Sequence, residues 1–215
     1  MSEKSKSIIS LGNRLNEVLS IEVPQHYEWN YNGSWELDLP ITLSSYVNDL
    51  EKTRPSSVGD FVDMATDSES VPCIKSLVSE FRQIADTKRY ADRQLANLVA
   101  SFVQSLPYTF DYDTKSRDEY PRYPVETLFE RGGDCEDTSI LVATLLDSLG
   151  INVILLYLEE DQHIAVGVDV PNTYGTYWEY LGDKYWFLET TAEGFSIGDY
   201  PKELKSKRAY VYPVW

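Results

Sequence analysis

The sequence predicts an α+β fold in which helices come first and antiparallel strands follow. Apolar residues recur at helical spacing along most of the chain up to Gly150, and the spacing changes to two from Ile151 onward. Near the N-terminus, Asn32-Gly33 lies between two alternating stretches, which is a strong signal for a β-hairpin. We therefore expect a helical part and a sheet, preceded by a helix-plus-hairpin extension.

The charge and hydropathy of the chain indicate which classes of binding partner to expect. The chain has 215 residues, of which 19 are Lys or Arg and 35 are Asp or Glu, for a net charge of −16. So much negative charge repels phosphate backbones and argues against nucleic acid as a partner. The start of the chain lacks an apolar leader, and no run is long enough to span a membrane, so we expect a soluble cytoplasmic protein. Oligomeric state is left open.

The first part of the chain contains three predicted elements and a linker. Residues 7–19 carry apolar side chains at helical spacing, residues 27–39 form the hairpin, and a short helix is expected near 44–51. The aromatic face of the hairpin fits a packing face better than a ligand platform. Residues 52–72 are rich in Ser, Thr and Pro and show little periodicity, which indicates a linker.

That linker divides the chain into an N-terminal extension, residues 1–71, and a second domain, residues 72–215. The second domain begins with helices predicted near 73–86 and 90–106, the latter ended by Pro107. An irregular stretch up to residue 124 follows, and a loop of that length in a compact domain is usually functional. A short helix near 125–130 then leads into the most informative motif.

Residues 131–138 read Arg-Gly-Gly-Asp-Cys-Glu-Asp-Thr and precede an apolar helix that should end at Gly150. Asp134 and Asp137 are spaced like a capping pair, which places Cys135 in the first helical turn. The N-terminal dipole there favours a thiolate, although the neighbouring carboxylates oppose it. The alternative is that Cys135 is a small core residue, as most free cysteines are. With only Cys73 besides it, and two histidines, neither a disulfide scaffold nor a zinc site is expected.

Two later residues are candidate partners of Cys135. Strands are expected at 151–158, 163–170, 177–181 and 185–190, with Gly182-Asp183 as the turn between the last two. His163 shares a strand face with Ala165 and Gly167, small residues that leave room for the tip of the cysteine helix. Glu189 closes an apolar strand, where a carboxylate could orient an imidazole. Taken singly, His163 would more often be a surface residue or a satisfied core residue, and Glu189 could be a solvated strand end.

Four runs of the sequence are informative when taken together: residues 123–128 (YPVETL), 132–137 (GGDCED), 163–168 (HIAVGV) and 188–191 (LETT). They resemble the transglutaminase-like cysteine peptidase superfamily, and most of all its archaeal and bacterial branch with a Gly-Asp-Cys-Glu-Asp core. The resemblance covers about residues 72–201. It implies a papain-like fold in which a catalytic helix packs on an antiparallel sheet.

The resemblance also implies a Cys-His-acid triad. Cys135 matches the nucleophile, His163 the base and Glu189 the third residue, where most of the superfamily has the shorter Asp. Gln104, in Phe102-Val103-Gln104, matches the position of the oxyanion donor, which would act together with the backbone N–H of Cys135.

The expected activity is a thiol-dependent hydrolase or acyl transferase acting on amide bonds, first of all a cysteine peptidase with a peptide or protein substrate. Tyr123, Tyr157 and Trp178 are candidates to shape the substrate cleft. A protein-crosslinking transglutaminase and a non-catalytic peptide- or metal-binding module remain alternatives.

No cofactor is expected to be required, but calcium is an open possibility. Some bacterial relatives with this motif are calcium-dependent proteases, and carboxylate oxygens suit calcium. The candidate ligands are Asp134, Glu136 and Asp137, for which helix capping and solvation are the competing explanation.

Overall fold

The computed structural model describes residues 3–117, 119–205 and 208–215. The helices in these ranges are α1 (Glu3–Leu19), α2 (Leu43–Glu51), α3 (Phe61–Asp67), α4 (Pro72–Lys88), α5 (Asp92–Gln104), α6 (Asp111–Lys115), α7 (Pro124–Glu130) and α8 (Cys135–Ser148). The strands are β1 (Glu22–Asn30), β2 (Ser34–Thr42), β3 (Val153–Leu158), β4 (His163–Val168), β5 (Tyr177–Tyr180), β6 (Asp183–Leu188) and β7 (Tyr210–Val214). The predicted mixture of helices followed by strands is confirmed.

The N-terminal hairpin forms as predicted and belongs to the main hydrophobic core. Trp29 pairs with Trp35 across β1 and β2, and Asn32 and Gly33 adopt positive φ angles of 48° and 140° in the turn. Trp29 is buried and its ring makes edge contacts with Phe81 and Phe102, at centroid distances of 6.2 and 5.3 Å. The aromatic face is therefore a packing face, in agreement with the preferred interpretation.

The stretch predicted as a linker is partly helical and buried, so that prediction is wrong. α3 lies inside it, and its Phe61, Met64 and Ala65 are in the core. The hydroxyl of Thr144 in α8 donates to the carbonyl of Ala65 at 2.9 Å. A helix of seven residues shows less than two turns of periodicity, so its Ser, Thr and Asp neighbours dominated the pattern. The division at residue 71 stays a prediction, although the core extends across it.

The main sheet is antiparallel, with strand order β5-β6-β4-β3-β7. α8 packs on the face formed by Ile164, Val166 and Val168. The small residues Ala165 and Gly167 point to the opposite face, so they do not make room for the cysteine helix as predicted. Neighbouring strands fill that space, because a Cβ on Gly167 would lie 2.6 Å from the Ile154 side chain.

Two details of the sheet differ from the sequence prediction. Tyr180 pairs with Asp183, so the turn is Leu181-Gly182, with φ angles of 52° and 98°, one residue earlier than expected. β7 was missed; it pairs with β3 at the sheet edge, where the Pro213 in its sequence is tolerated. None of the helices in the described ranges combines the length and apolar character needed to cross a membrane.

Candidate active site

Cys135 is the first residue of α8, as predicted. The backbone N–H of Asp134 donates to Oδ2 of Asp137 at 3.2 Å, which supplies half of the expected capping pair. Gly133 is required beside this cap, because a Cβ there would lie 2.5 Å from the Asp137 side chain. A Cβ on Gly132 would lie 2.8 Å from the carbonyl oxygen of Pro107. The double glycine thus lets two chain segments close tightly around the start of the cysteine helix.

The surroundings of Cys135 favour the thiol over the thiolate. Burial is the main cause of its raised pKa, and the charges of Glu136 and Asp134 raise the pKa further. The thiol donates a hydrogen bond to Oε2 of Glu136 at 3.2 Å. The backbone N–H of Ile164 acts in the opposite direction, but it does not compensate. Burial and the neighbouring carboxylates, which the sequence analysis set against the helix dipole, therefore decide the direction of the shift.

His163 and Glu189 form a close, largely buried pair. Nε2 of His163 lies 2.9 Å from Oε2 of Glu189, and Glu189 is only 3% exposed. Oε1 of Glu189 accepts hydrogen bonds from the N–H groups of Thr190 and Thr191, at 2.9 and 3.0 Å, and from the Thr191 hydroxyl at 2.7 Å. Burial raises the pKa of Glu189, but the bonds from His163 and Thr191 outweigh it, so the pKa lies below its ordinary value.

Buried hydroxyl groups connect the elements that carry Cys135, His163 and Glu189. Ser139, one turn along α8, donates to the carbonyl of Ile164 at 3.1 Å and lies 3.1 Å from the hydroxyl of Thr190. Thr138 shares a further hydrogen bond with Thr190 at 2.9 Å. Ile164 follows His163 and Thr190 follows Glu189, so this hydroxyl junction fixes all three elements to one another. The sequence analysis missed it, because Ser and Thr in an apolar helix carry no positional signal.

Gln104 is buried, but its amide hydrogens point elsewhere than the predicted oxyanion site. Nε2 of Gln104 donates to the carbonyl of Glu189 at 2.7 Å and to the carbonyl of Phe195 at 3.0 Å. An amide nitrogen carries two hydrogens, and both have backbone partners here. Both donors of the amide are therefore already used, and the oxyanion role of Gln104 stays a prediction from the resemblance.

An acidic cluster lies beside Cys135. Asp111, Asp134 and Glu136 each place a carboxylate oxygen within 4.8 Å of the others. Oδ1 of Asp134 is buried, and nothing in the described ranges hydrogen-bonds to it. Oxygens at these separations can share a calcium ion, which binds oxygen at about 2.4 Å. Of the predicted ligands, Asp134 and Glu136 lie in this cluster, Asp137 does not, and Asp111 was missed.

Asp137 is instead a partner of Arg122, a fully buried cation at 1% exposure. Its carboxylate accepts from the backbone N–H of Arg122 at 2.6 Å and forms an ion pair with the guanidinium. The same guanidinium contacts Asp111 at 2.8 Å and Glu130 at 3.0 Å. Arg122 thus links the irregular segment before α7 to the start of the cysteine helix. Its Arg-Tyr-Pro context gave no hint of this role.

The aromatic residues predicted to shape the cleft have other contacts. The hydroxyl of Tyr123 donates to Thr53, Tyr157 stacks on Tyr210, and Trp178 packs against Phe187. Tyr108 forms an isolated bridge with Gly133, two residues before Cys135. It is 45% exposed, and burial is the main cause of its raised pKa.

Neither a protein-family model nor a curated protein sequence matches the chain. Several solved structures are similar to it at low identity. Calcium-bound LapG of Legionella pneumophila is 17% identical, with a TM-score of 0.38, over 63% of this chain and 87% of that one. Another LapG structure from Legionella pneumophila is 17% identical, with a TM-score of 0.42, over 75% of this chain and 90% of that one. A structure described as a TGase is 12% identical, with a TM-score of 0.41, over 97% of this chain and 51% of that one.

Proposed function

We propose that the protein is a cysteine peptidase that hydrolyses amide bonds in a peptide or protein substrate. Cys135 is the nucleophile, His163 the general base and Glu189 the carboxylate that orients His163. The observation that carries this proposal is the 2.9 Å pair between His163 and Glu189, joined by the hydroxyl junction to the helix that begins at Cys135. The resemblance of the four sequence runs to transglutaminase-like peptidases supports the same assignment.

The pairing through Nε2 leaves Nδ1 of His163 as the nitrogen that exchanges a proton with Cys135. In the acylation step, Nδ1 takes the thiol proton while the sulfur forms a bond to the substrate carbonyl carbon. The C–N bond then breaks, and the same proton passes to the departing amine. Water attacks the thioester with His163 again as base, which releases the acid and restores the thiol.

Two groups stabilise charge during these steps. Glu189 is anionic and stabilises the imidazolium that forms on His163. The backbone N–H of Cys135, at the open end of α8, is the donor that we assign to the developing oxyanion. Because the resting sulfur is a thiol, proton transfer to His163 accompanies attack, and no preformed thiolate is needed.

We further propose that Asp111, Asp134 and Glu136 hold a calcium ion. The orphan Oδ1 of Asp134 supports this, because a buried carboxylate oxygen without a donor is costly and a cation would satisfy it. When bound, calcium would supply positive charge that offsets the carboxylates around Cys135. The chain's own contribution is the ligand set and the Arg122 network that holds Asp111 in place.

One observation favours a second candidate, a non-catalytic metal- or peptide-binding module. The pKa of Cys135 is raised by burial and by adjacent carboxylates, whereas a nucleophilic thiol usually has a lowered pKa. In such a module the acidic cluster would hold the ligand, and the sulfur would only fill space.

Cleavage of a fluorogenic peptide library, with and without calcium, separates these candidates. We expect turnover that Cys135→Ala abolishes and that Cys73→Ala, the matched control at the other free cysteine, leaves intact. Adding a primary amine tests for transamidation, because an amide product would then replace the acid. Calcium binding without turnover or acyl-enzyme formation on any peptide would favour the binding module and end the peptidase proposal.

A further inference from the structure

We propose that Asn97 and Gln104, on one face of α5, are positioning residues that hold Glu189 in place for His163. This inference rests on the proposed function and assigns a role to a helix that contributes no group to the reaction. It also gives Gln104 a function that agrees with its contacts, in place of the oxyanion role expected from sequence.

Glu189 needs an anchor because it lies just beyond the sheet. The last pair between β4 and β6 joins Val166 to Leu188, so the ladder ends one residue before Glu189. The side chain of Glu189 already uses Oε1 on the following turn and Oε2 on His163. The hydroxyl junction holds the neighbouring Thr190 through its side chain, but the backbone carbonyl of Glu189 still needs a donor of its own.

Gln104 supplies that contact from the last residue of α5. It is 5% exposed, and its Nε2 donates to the Glu189 carbonyl at 2.7 Å and to the Phe195 carbonyl at 3.0 Å. One amide therefore fixes both ends of the turn that follows Glu189. A buried carbonyl that lost this donor would be left unsatisfied, so the contact is strongly favoured.

Asn97 makes the equivalent contact two turns earlier on the same face, seven residues before Gln104. It is 8% exposed, its Nδ2 donates to the carbonyl of Arg93 at 2.8 Å, and its Oδ1 accepts from the N–H of Ile197 at 2.9 Å. Both amides thus bind backbone atoms of the segment 189–197. The segment rests on α5 through contacts that do not depend on its own side chains.

The test combines activity with the state of the His163 ring. Gln104→Met keeps the length of the side chain but removes both donors. We expect the peptidase kcat/KM to fall by up to about 100-fold, the cost of a small misplacement. In the Glu189→Gln background, the same change should cause little further loss, because both act through one carboxylate. Ser105→Ala, which removes only a bond to Phe102 within the same helix end, is the matched control.

Proton NMR provides a second readout that does not need a substrate. The Nε2–H proton of His163, identified by its loss in His163→Ala, should be shifted downfield in the wild type by its bond to Glu189. We expect Gln104→Met and Asn97→Leu to move this resonance upfield, and Ser105→Ala to leave it in place. An unchanged resonance in Gln104→Met, or an activity loss that simply adds to that of Glu189→Gln, would overturn the positioning role. A wild type that cleaves nothing while the resonance still responds would overturn the peptidase and leave the contact role standing.

Discussion

The thiol of Cys135 donates a hydrogen bond to Oε2 of Glu136, its neighbour in sequence, across 3.2 Å. This contact ties the proposed nucleophile to the acidic cluster. Burial and the charges of Glu136 and Asp134 all raise the pKa of the thiol, so the cluster acts against thiolate formation. Any change that removes negative charge from the cluster should therefore make the sulfur more reactive.

Glu136→Gln should accelerate alkylation of Cys135 by iodoacetamide at pH 7 to 8. Only the thiolate reacts, so a raised pKa makes the wild-type rate low at neutral pH and increase about tenfold per pH unit. Removing the Glu136 charge lowers the pKa and shifts this profile to lower pH. Mass spectrometry of the labelled peptides follows Cys135 separately from Cys73, whose burial raises its pKa to about 11.

The control for that experiment is Glu160→Gln, which removes an exposed carboxylate. It should leave the alkylation profile of Cys135 unchanged. A Glu136→Gln profile that coincides with the wild type would mean that the 3.2 Å contact does not govern the thiol.

Calcium should raise the melting temperature of the wild type. A ligand that binds only the folded state at 100 times its Kd stabilises by about 2.7 kcal/mol. Asp134→Asn and Glu136→Gln each remove one carboxylate of the proposed site and should reduce this shift, whereas Glu160→Gln should preserve it. Differential scanning fluorimetry with calcium, magnesium and a chelator measures the effect. Equal shifts in all four proteins would place calcium elsewhere.

Glu189→Gln should reduce peptidase kcat by about 1,000-fold or more, because the imidazolium loses its anionic partner while the turn keeps an oxygen acceptor. Glu189→Asp should be intermediate, since the shorter side chain cannot reach His163 and the Thr190 and Thr191 N–H groups together. Steady-state kinetics with the best library substrate measure both. Full activity in Glu189→Gln would contradict the role assigned to this residue.

The lowered pKa of Glu189 also predicts how stability depends on pH. The folded state holds this proton less tightly than the unfolded state, so the carboxylate stabilises the fold above the ordinary pKa of 4.5. That contribution is lost as the pH falls through the lower, folded-state pKa. Urea unfolding measured between pH 3 and pH 7 should show that Glu189→Gln loses less free energy of unfolding on acidification than the wild type does.

Regular periodicity predicted most of the fold. The hairpin, α4, α5, α8 and the central strands emerged because each has enough residues to show its period. α3 was missed because it is short. β7 was missed because it contains a proline and follows a run of basic residues, so its alternation is hard to recognise. The strand faces were predicted correctly, but which face the cysteine helix covers depends on packing that no single strand encodes.

At the site, the sequence pointed to residues with recognisable chemistry but not to the residues that hold them. Cys135 begins a helix and His163 pairs with Glu189, in line with the local pattern, and the catalytic roles of the three residues stay a prediction. Arg122, Asp111 and the hydroxyl junction join segments distant in the chain, and a lone Arg, Asp or Ser has no periodic signature. The backbone partners of Gln104 could not be predicted, because a family resemblance matches a position and does not give the contacts of its side chain.

Arg122→Met should destabilise the protein by about 3–5 kcal/mol, the usual result of breaking a buried ion pair from one side. Asp137 and Asp111 would be left as buried carboxylates without their shared cation, whereas the partly exposed Glu130 would keep its ion pair with Lys115. Arg122→Lys keeps the charge but loses the planar guanidinium and its several donors, so the decrease in the free energy of unfolding should be intermediate. Arg14→Met, at an exposed arginine of α1, is the control. Urea unfolding monitored by tryptophan fluorescence would contradict this role if Arg122→Met and Arg14→Met unfolded at the same midpoint.

Thr190→Val should loosen the contact between the elements that carry the proposed triad without changing a side chain of that triad. The substitution keeps the shape but removes the hydroxyl that Thr138 and Ser139 share, at 2.9 and 3.1 Å, while these two hydroxyls keep the carbonyls of Asp134 and Ile164 as acceptors. We expect a loss of about 0.5–1.5 kcal/mol in the free energy of unfolding, together with a lower kcat. Thr190→Ser keeps the hydroxyl, and so it should retain most of both quantities. If Thr190→Ser and Thr190→Val lose the same activity, the methyl group rather than the hydroxyl junction aligns His163 and Glu189 with the start of α8.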